Sequence, residues 1–581
     1  MLELGNPTIS TLSMKKKKKK KVLLVTLSFI LLIATVIGIV AGVTSRKNSG
    51  SKHSPGHTIL KSSCSITRYP DLCHSAIATV PGAIDKLMSQ KDVIEISLNI
   101  TTTAVEHNYF TIEKLIATKK KSLTEREKTA LHDCLEMADE TLDELYKTAQ
   151  DLNQYRKVKK TISHHAADLK TLVSGAMTNQ DSCLDGFLQE GADKEVRSVL
   201  EAGQVHVYKM CSNALAMIKN MTDTHMAEER KERKLMMMDG DKRESDEIEF
   251  PEWLSVGDRR LLQATTVTAD VTVAADGSGN FKTVAAAVAA APEKSSKRYV
   301  IRIKAGVYKE NVEVHKKKTN IMFVGDGRKN TIITGSRNFV DGSTTFHSAT
   351  LAVVGERFLA RDITIQNTAG PSKHQAVALR VGSDQSAFYR CDILAYQDTL
   401  YVHSLRQFYE GCLISGTVDF IFGNAAAVFQ NCDIHARRPG SGQKNMVTAH
   451  GRDDPNMNTG IVIQKCRIGA TSDLEVVKSQ FHTYLGRPWK EYSRTIVMQS
   501  SISDVINPVG WHEWMGNFAL DTLFYAEYQN TGAGAGTANR VKWKGHKVLT
   551  SATQVQAFTV SSFIAGHSWL GSTGFPFSLG L

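Results

Sequence analysis

The chain has 581 residues, 71 Lys and Arg against 59 Asp and Glu for a formal net charge of +12, and nine cysteines. At about 100 to 200 residues per domain this length excludes a single compact domain and points to two or three. Seven of the positive charges form one run, Lys15 to Lys21, so the excess does not describe a uniformly basic surface.

By segment, residues 1–43 carry +6, residues 44–262 carry −3, and residues 263–581 carry 33 basic and 24 acidic side chains, net +9. A basic second half suits any extended polyanion, an acidic polysaccharide as much as a nucleic acid. Zinc-finger spacing, an RNA-binding aromatic motif and a P-loop are all missing from the sequence, so no nucleic-acid partner is expected.

Residues 1–21 read as a basic cytosolic tail. The uncharged stretch 22–43, VLLVTLSFILLIATVIGIVAGV, is long enough to cross a bilayer as a helix of about 20 residues. It exceeds a signal-peptide core of about 7 to 15 residues and no A-x-A site follows, which predicts a transmembrane signal anchor. Seven lysines before the span, with only Arg46 and Lys47 just after it, orient the rest of the chain into the secretory lumen. That compartment makes the cysteines candidates for disulfides, and makes Asn99 (NIT) and Asn220 (NMT) candidate glycosylation sites.

After a linker, 44–62, residues 63–221 predict a helix bundle. Leu131, Leu135, Ala138, Leu142 and Leu145 recur at three or four residues, the spacing of one helical face. Thr124 and Glu127 form a candidate capping box at the start of that helix. Cys64 and Cys73 are close enough to staple a short hairpin, Cys134 and Cys183 can join two long helices, and Cys211 is left over. No catalytic centre is expected here. His164 and His165 lack further ligands at metal spacing and read as a solvated pair.

Residues 222–262 are dense in alternating charge and read as a processing linker. Two dibasic clusters lie within it, Arg233-Lys234-Leu235-Met236 and Arg259-Arg260-Leu261-Leu262.

From 263 to 581 the pattern changes to short β-branched runs separated by Gly, Asn and Asp, with only the Ala-rich stretch 284–291 reading as helix. The segments FYRCDI, FYEGCLI, FQNCDI and VIQKCRI place Cys391, Cys412, Cys432 and Cys466 at intervals of 21, 20 and 34. A repeat near 20 residues with one strand signature predicts an all-β parallel β-helix, whose coils stack about 4.8 Å apart. The longer interval predicts an inserted loop. The expected fold class is therefore this β-helix, preceded by an all-α bundle and a membrane anchor.

Asp398 in AYQDTLY and Asp419 in DFIFG lie 21 residues apart, and Gln375 and Gln397 lie 22 apart. On coils of that period the four side chains share one patch. Such a patch suits ester hydrolysis: an ionised carboxylate attacks, a protonated one serves the leaving alkoxide, and amide N–H groups hold the oxyanion. A guanidinium beside one acid separates the two protonation states, and Arg487 in YLGRPW is the candidate, with Trp489 to face a sugar. Stacked Asn, Gln and Asp ladders are also common in solenoids, so spacing alone leaves a purely structural role open. Neither a GxSxG elbow nor zinc spacing is present, which makes a mechanism without metal or other cofactor the economical one.

Residues 265–581 resemble the plant pectin methylesterases through GVYKE (306–310), DGSTTF (341–346), QAVALR (375–380), YQDTLY (396–401), DFIFG (419–423) and LGRPW (485–489). Residues 64 to about 221 are similar to the pectin methylesterase inhibitor domain through their cysteine pattern and NQDSCLDGF (179–187). The resemblance implies a right-handed parallel β-helix that removes methyl esters from homogalacturonan. It implies Asp419 as nucleophile, Asp398 as general acid then base, Gln375 and Gln397 as oxyanion donors, and Arg487 as the group orienting Asp419. It further implies Gln375, Arg487, Trp489, Thr345, Tyr401 and Phe422 as substrate contacts, and a disulfide between neighbouring coils, best placed at Cys412 and Cys432.

It also implies an N-terminal domain that restrains the enzyme until a subtilisin-like protease cuts near RRLL, releasing a cell-wall enzyme that separate inhibitor proteins can also meet. Two other readings remain: a pectate lyase or polygalacturonase on the same solenoid, and a non-catalytic pectin-binding or inhibitor protein.

Overall fold

The computed structural model describes residues 55–189, 191–238 and 268–581. The basic tail, the apolar stretch 22–43 and the Arg259–Leu262 cluster lie outside them. Among the described residues no helix is long and apolar enough to cross a membrane.

The helical part contains α1 (Pro55–Ser65), α2 (Pro70–Ala78), α3 (Gln90–Lys119), α4 (Glu125–Gln154), α5 (Ile162–Asp185) and α6 (Lys194–Met238). Helix α4 begins where sequence placed it. The Thr124 side chain accepts from the Glu127 N–H, and the Glu127 carboxylate accepts from the Thr124 N–H at 2.8 Å, satisfying two donors that the helix cannot. Leu131, Ala138 and Leu145 are buried in the bundle, with Leu135 and Leu142 packed beside them. Disulfides Cys64–Cys73 and Cys134–Cys183 tie α1 to α2 and α4 to α5, and Cys211 is a free buried thiol.

Three expectations are corrected. The bundle begins at Pro55, ahead of residue 63, because α1 precedes Cys64. Helix α6 continues into the charged segment as far as Met238, since Glu, Lys, Arg and Met are all strong helix formers whatever their charge. His165 is not solvated: it shares the inner face of α5 with Ile162 and Leu169, is fully buried, and sets Nδ1 2.9 Å from Asp151. His164 meets His567 of the C-terminal segment, Nε2 to Nε2 at 2.8 Å.

From Val271 onward the strands form three sheets of eleven, eight and seven strands, each pairing parallel with its neighbours. Coil lengths match the cysteine intervals: Asp392 pairs with Leu413, Leu413 with Asp433, and Asp433 with Arg467. Between the last two, loops 437–444 and 451–459 take up the extra residues. Inside, Ile365, Ile393, Ile414, Ile434, Ile468 and Ile502 stack in register and are at most 2% exposed. Each such side chain contributes about 1.5–3 kcal/mol by leaving water. Phe388, Tyr409 and Phe429 form a second ladder, with ring centroids 5.0 and 4.6 Å apart. The Ala-rich stretch is a short helix, α7 (Val284–Ala290), closing the first coil.

The cysteines form a third ladder, and here the expected Cys412–Cys432 bridge is corrected. Both are free buried thiols, as are Cys391 and Cys466. The spacing of about 4.8 Å between stacked coils does not itself exclude a bridge, which needs Cα atoms about 4.4–6.8 Å apart, so the direction each side chain takes decides the matter. The thiols turn to carbonyls instead, Cys412 to those of Phe388 and Glu410, Cys432 to those of Tyr409 and Gln430.

The seven-stranded sheet carries the side chains predicted to act. In chain order it holds β1 (Val312–Val314), β2 (Leu351–Val353), β3 (Leu379–Val381), β4 (Leu400–Val402), β5 (Ile421–Gly423), β6 (Asn445–His450) and β7 (Thr483–Pro488), each beside the next. Helices α4 and α5 lie over its outer face, within one unit spanning Pro55 to Leu581.

Candidate active site

Asp398 and Asp419 occupy the same turn on successive coils, each two residues before its strand, β4 or β5. Both have a left-handed backbone, φ 62° and 50°, a conformation that Asp tolerates better than most side chains. The Asp398 N–H donates to the Val418 carbonyl at 3.0 Å, so the turns stack as the strands do. Repetition of one strained turn thus sends two carboxylates out on one face, a coil apart, where each is more than nine-tenths buried.

Arg487 reaches them from β7. Its Nε and Nη2 donate to the two oxygens of Asp419 at 2.8 and 2.6 Å, a fork that a lysine could not form. Trp514 stacks on the guanidinium, 4.2 Å from carbon to ring centroid. Gly486, just before it, is required by space: a Cβ there would lie 2.1 Å from Thr448 Oγ1.

These contacts separate the two acids. Burial pushes Asp398 well above the usual carboxylate range, and the neighbouring Asp419 charge pushes it further. Burial raises Asp419 as well, but the Arg487 hydrogen bonds and charge oppose it. Arg487 does not bring Asp419 below its ordinary value, yet it makes Asp419 the stronger acid of the pair, ionised while Asp398 keeps its proton.

The other expected residues converge here. Gln375, Gln397, Thr345, Tyr401, Phe422 and Trp489 line, with Asp398, Asp419 and Arg487, one cavity of about 420 Å³. Tyr401 and Phe422 stack at 4.3 Å, and Trp489 stands 6.1 Å from Phe422, giving the cleft an aromatic floor. Sequence reasoning missed Trp514 and Phe346 in the same wall. Phe346 closes the DGSTTF motif, and its aromatic ring was the available signal.

It also missed the lid. Arg126, Asp133, Ser182 and Asp185 of the bundle line the cavity too. Ser182 Oγ lies 3.2 Å from the Tyr401 hydroxyl and 2.9 Å from His403 Nε2, the Thr344 hydroxyl donates to Asp133 at 2.5 Å, and Arg126 donates to the Phe339 carbonyl. Polar side chains on a helix read as solvated from sequence, so nothing marked them as buried. Asn99 on α3 and Asn220 on α6 are both exposed. Among the described residues no group of three or more His, Cys, Asp or Glu is placed to hold a metal ion.

Comparison with known proteins reads the same two parts. The Pectinesterase family matches residues 270–567, more than half of the chain. This chain belongs to the pectinesterase family. The Plant invertase/pectin methylesterase inhibitor family matches residues 58–217, the helical part. Among relatives, Pectinesterase 1 of Citrus sinensis is 72% identical over 95% of both chains, and Pectinesterase/pectinesterase inhibitor 3 of Arabidopsis thaliana is 68% identical over 95% of both. A solved pectin methylesterase from carrot is 76% identical with a TM-score of 0.54, and covers 55% of this chain and 100% of its own. That solved chain matches just over half of this one, the length of the β-helix part, and is itself folded without a bundle.

Proposed function

We propose that the cleft hydrolyses methyl esters of homogalacturonan through a covalent intermediate on Asp419, in the plant cell wall. The ionised Asp419 attacks the carbonyl carbon of a methyl galacturonate, and the amide groups of Gln375 and Gln397 donate to the resulting oxyanion. Asp398 gives its proton to the methoxy oxygen as the carbon–oxygen bond breaks, so methanol leaves and a mixed anhydride on Asp419 remains. Asp398, now ionised, takes a proton from water, and that water attacks the anhydride. The product departs as galacturonic acid, which releases its proton to solvent, while Asp419 is restored as a carboxylate and Asp398 as an acid. Arg487 steadies Asp419 throughout, while Trp489, Tyr401, Phe422 and Thr345 contact the sugar chain.

The observation that carries this reading is the repeated turn with its single guanidinium: two equivalent buried acids, only one of them paired. Asp419→Asn in the β-helix part, residues 263–581, should abolish methanol release from methylated pectin. Retained activity would remove Asp419 as nucleophile. Shortening of the polymer without methanol would favour a lyase or polygalacturonase, and binding without either product would favour a non-catalytic protein.

The bundle is the natural restraint on this chemistry, because α4 and α5 fill the mouth of the cleft. In this reading a membrane-anchored precursor enters the secretory pathway, glycosylated at Asn99 and Asn220, and is silent until a subtilisin-like protease cuts within 222–262. The +9 charge of residues 263–581 then holds the enzyme on acidic pectin, an attraction that salt weakens.

A further inference from the structure

Arg380 sits in the middle of β3, on the outer face, in register with Tyr401 and, through it, with Phe422. The guanidinium is 3% exposed and lies flat on Phe346, 3.3 Å from the ring centroid. Nη2 donates to Glu136 at 3.3 Å, but Nε and Nη1 have no hydrogen-bond partner. A buried charge with two idle donors is costly unless something occupies them.

Its partner is unusual. Glu136 belongs to the bundle, whereas the other deeply buried arginines of the β-helix that pair with acids have one from the β-helix itself. Arg406 is gripped by Asp384 at 2.9 and 2.6 Å, and Arg540 by Glu527 at 2.9 and 3.1 Å. Glu313, two coils away in the same row, forms no ion pair with Arg380 among the described residues. Once the bundle departs, Arg380 keeps its charge and loses the one carboxylate it pairs with among the described residues.

What α4 lays over this row is also informative. Asp133, Glu136 and Glu140 recur at helical spacing, about one 5.4 Å turn apart, on the face turned to the sheet. Their even spacing is that of the carboxyl groups along a polyuronate chain, with Glu136 the member set on the guanidinium. From Asp398, Arg380 is one coil across and about three residues along the strand, roughly 11 Å, within reach of a neighbouring sugar and too far for the reacting one.

We propose that Arg380 is a subsite for a free carboxylate of the polymer, on a sugar beside the ester being cleaved, and that Glu136 occupies this subsite in the full chain. The proposal rests on the esterase reading above and extends it. The fork of Nε, Nη1 and Nη2 takes a carboxylate in two parallel hydrogen bonds, as Arg487 takes Asp419. The substrate it selects is pectin already partly de-esterified.

The test compares residues 263–581 carrying Arg380, Arg380→Gln or Arg380→Lys. Methanol release is measured on fully methylated and on partly de-esterified pectin, and binding of polygalacturonate is titrated separately. In R380Q the ratio of kcat/KM on partly de-esterified pectin to that on fully methylated pectin should fall about tenfold, through KM. Polygalacturonate binding should weaken by a similar factor, and R380K should recover part of both. Tenfold corresponds to about 1.4 kcal/mol, the low end for a hydrogen bond to a charged group. Equal losses on both pectins would overturn the proposal by making Arg380 a support for the fold, and unchanged kinetics on both would show that it never meets the chain. Absence of methanol from all three proteins would instead sink the esterase reading, and polygalacturonate binding would still decide the subsite.

Discussion

Replacing Arg487 by Gln tests the electrostatic logic of the site most directly. The side chain makes two charge-assisted hydrogen bonds to Asp419, at 2.8 and 2.6 Å, and keeps about a quarter of its surface exposed. Hydrogen bonds to charged groups contribute about 1.5–3 kcal/mol each. Discounting for the neutral amide that replaces them, a net loss of about 3 kcal/mol is expected, equivalent to about 100-fold at about 1.4 kcal/mol per tenfold. Asp419 would then titrate higher. Below the original midpoint the ionised fraction, and kcat with it, should fall about 100-fold, with partial recovery as pH rises past the new midpoint. Methanol release from residues 263–581 between pH 4 and pH 9 reads this directly. Arg487→Lys, which keeps a point charge but not the fork, should shift the acid limb less. A large drop in kcat with no movement of the acid limb would refute the argument, because Arg487 would then act on the substrate or the fold and not on the charge of Asp419.

Other outcomes come from the contact between bundle and coils. Burial pushes Asp133 and Asp181 each up to about 7, and raises Glu140, Glu144 and Asp185 as well. The closed form therefore holds more protons than the open one between about pH 4 and pH 7, so closure should weaken as pH rises through that window. Asp168 runs the other way: Arg406 and Lys160 hold it below the usual range against burial, and its contribution is lost only at lower pH. A chain nicked in the linker, run on a sizing column from pH 4 to pH 8, should separate more readily at the upper end, and tighter association there would contradict this. Cys134→Ser opens a loop of separation 49 and should cost the bundle about 4 kcal/mol in urea unfolding while leaving the melting of residues 263–581 untouched. Phe429→Ala removes the end of a fully buried ring stack and should destabilise the β-helix by about 3–5 kcal/mol in denaturant titration.

Much of the fold was legible because solenoids write their period into the sequence. The intervals of 21, 20 and 34 between cysteines recur as strand registers, and the Thr124–Glu127 box marks the first residue of α4. The carboxylates were legible for the same reason, since equal spacing on coils becomes stacking. Arg487 required more, as nothing local links it to Asp419, 68 residues earlier. The misreadings of buried polar groups share one cause: the sequence shows which residues are polar but not which polar faces are covered. His165 reads as solvated, Asp133 and Ser182 give no sign of lining a cleft, and Arg380 is only the last letter of a motif. Spacing also could not tell a thiol ladder from a disulfide, because both need the same stacked positions.

The polar character of the covered face bears on how the two parts separate. Permanent contacts between domains are apolar, resembling a core cut in half, whereas contacts that must open stay polar. Here α4 buries leucines toward the bundle and carboxylates toward the coils. The contact is held by pairs such as Asp168 with Arg406 at 2.7 Å, Lys147 with Glu356 at 2.5 Å and Lys316 with Asp139 at 2.7 Å. Neutral bonds join them, from Asn424 to Thr178 at 2.8 Å and from Asn458 to Thr171 at 2.9 Å. Each of these groups can be satisfied by water once exposed, so opening strands few donors or acceptors, although it also bares the apolar seam in which Ala349, Ala352, Val377 and Ala449 of the coils join the bundle core. On the proposed reading, an interface of this composition would hold while the linker keeps the partners at high local concentration, and would let go once the linker was cut.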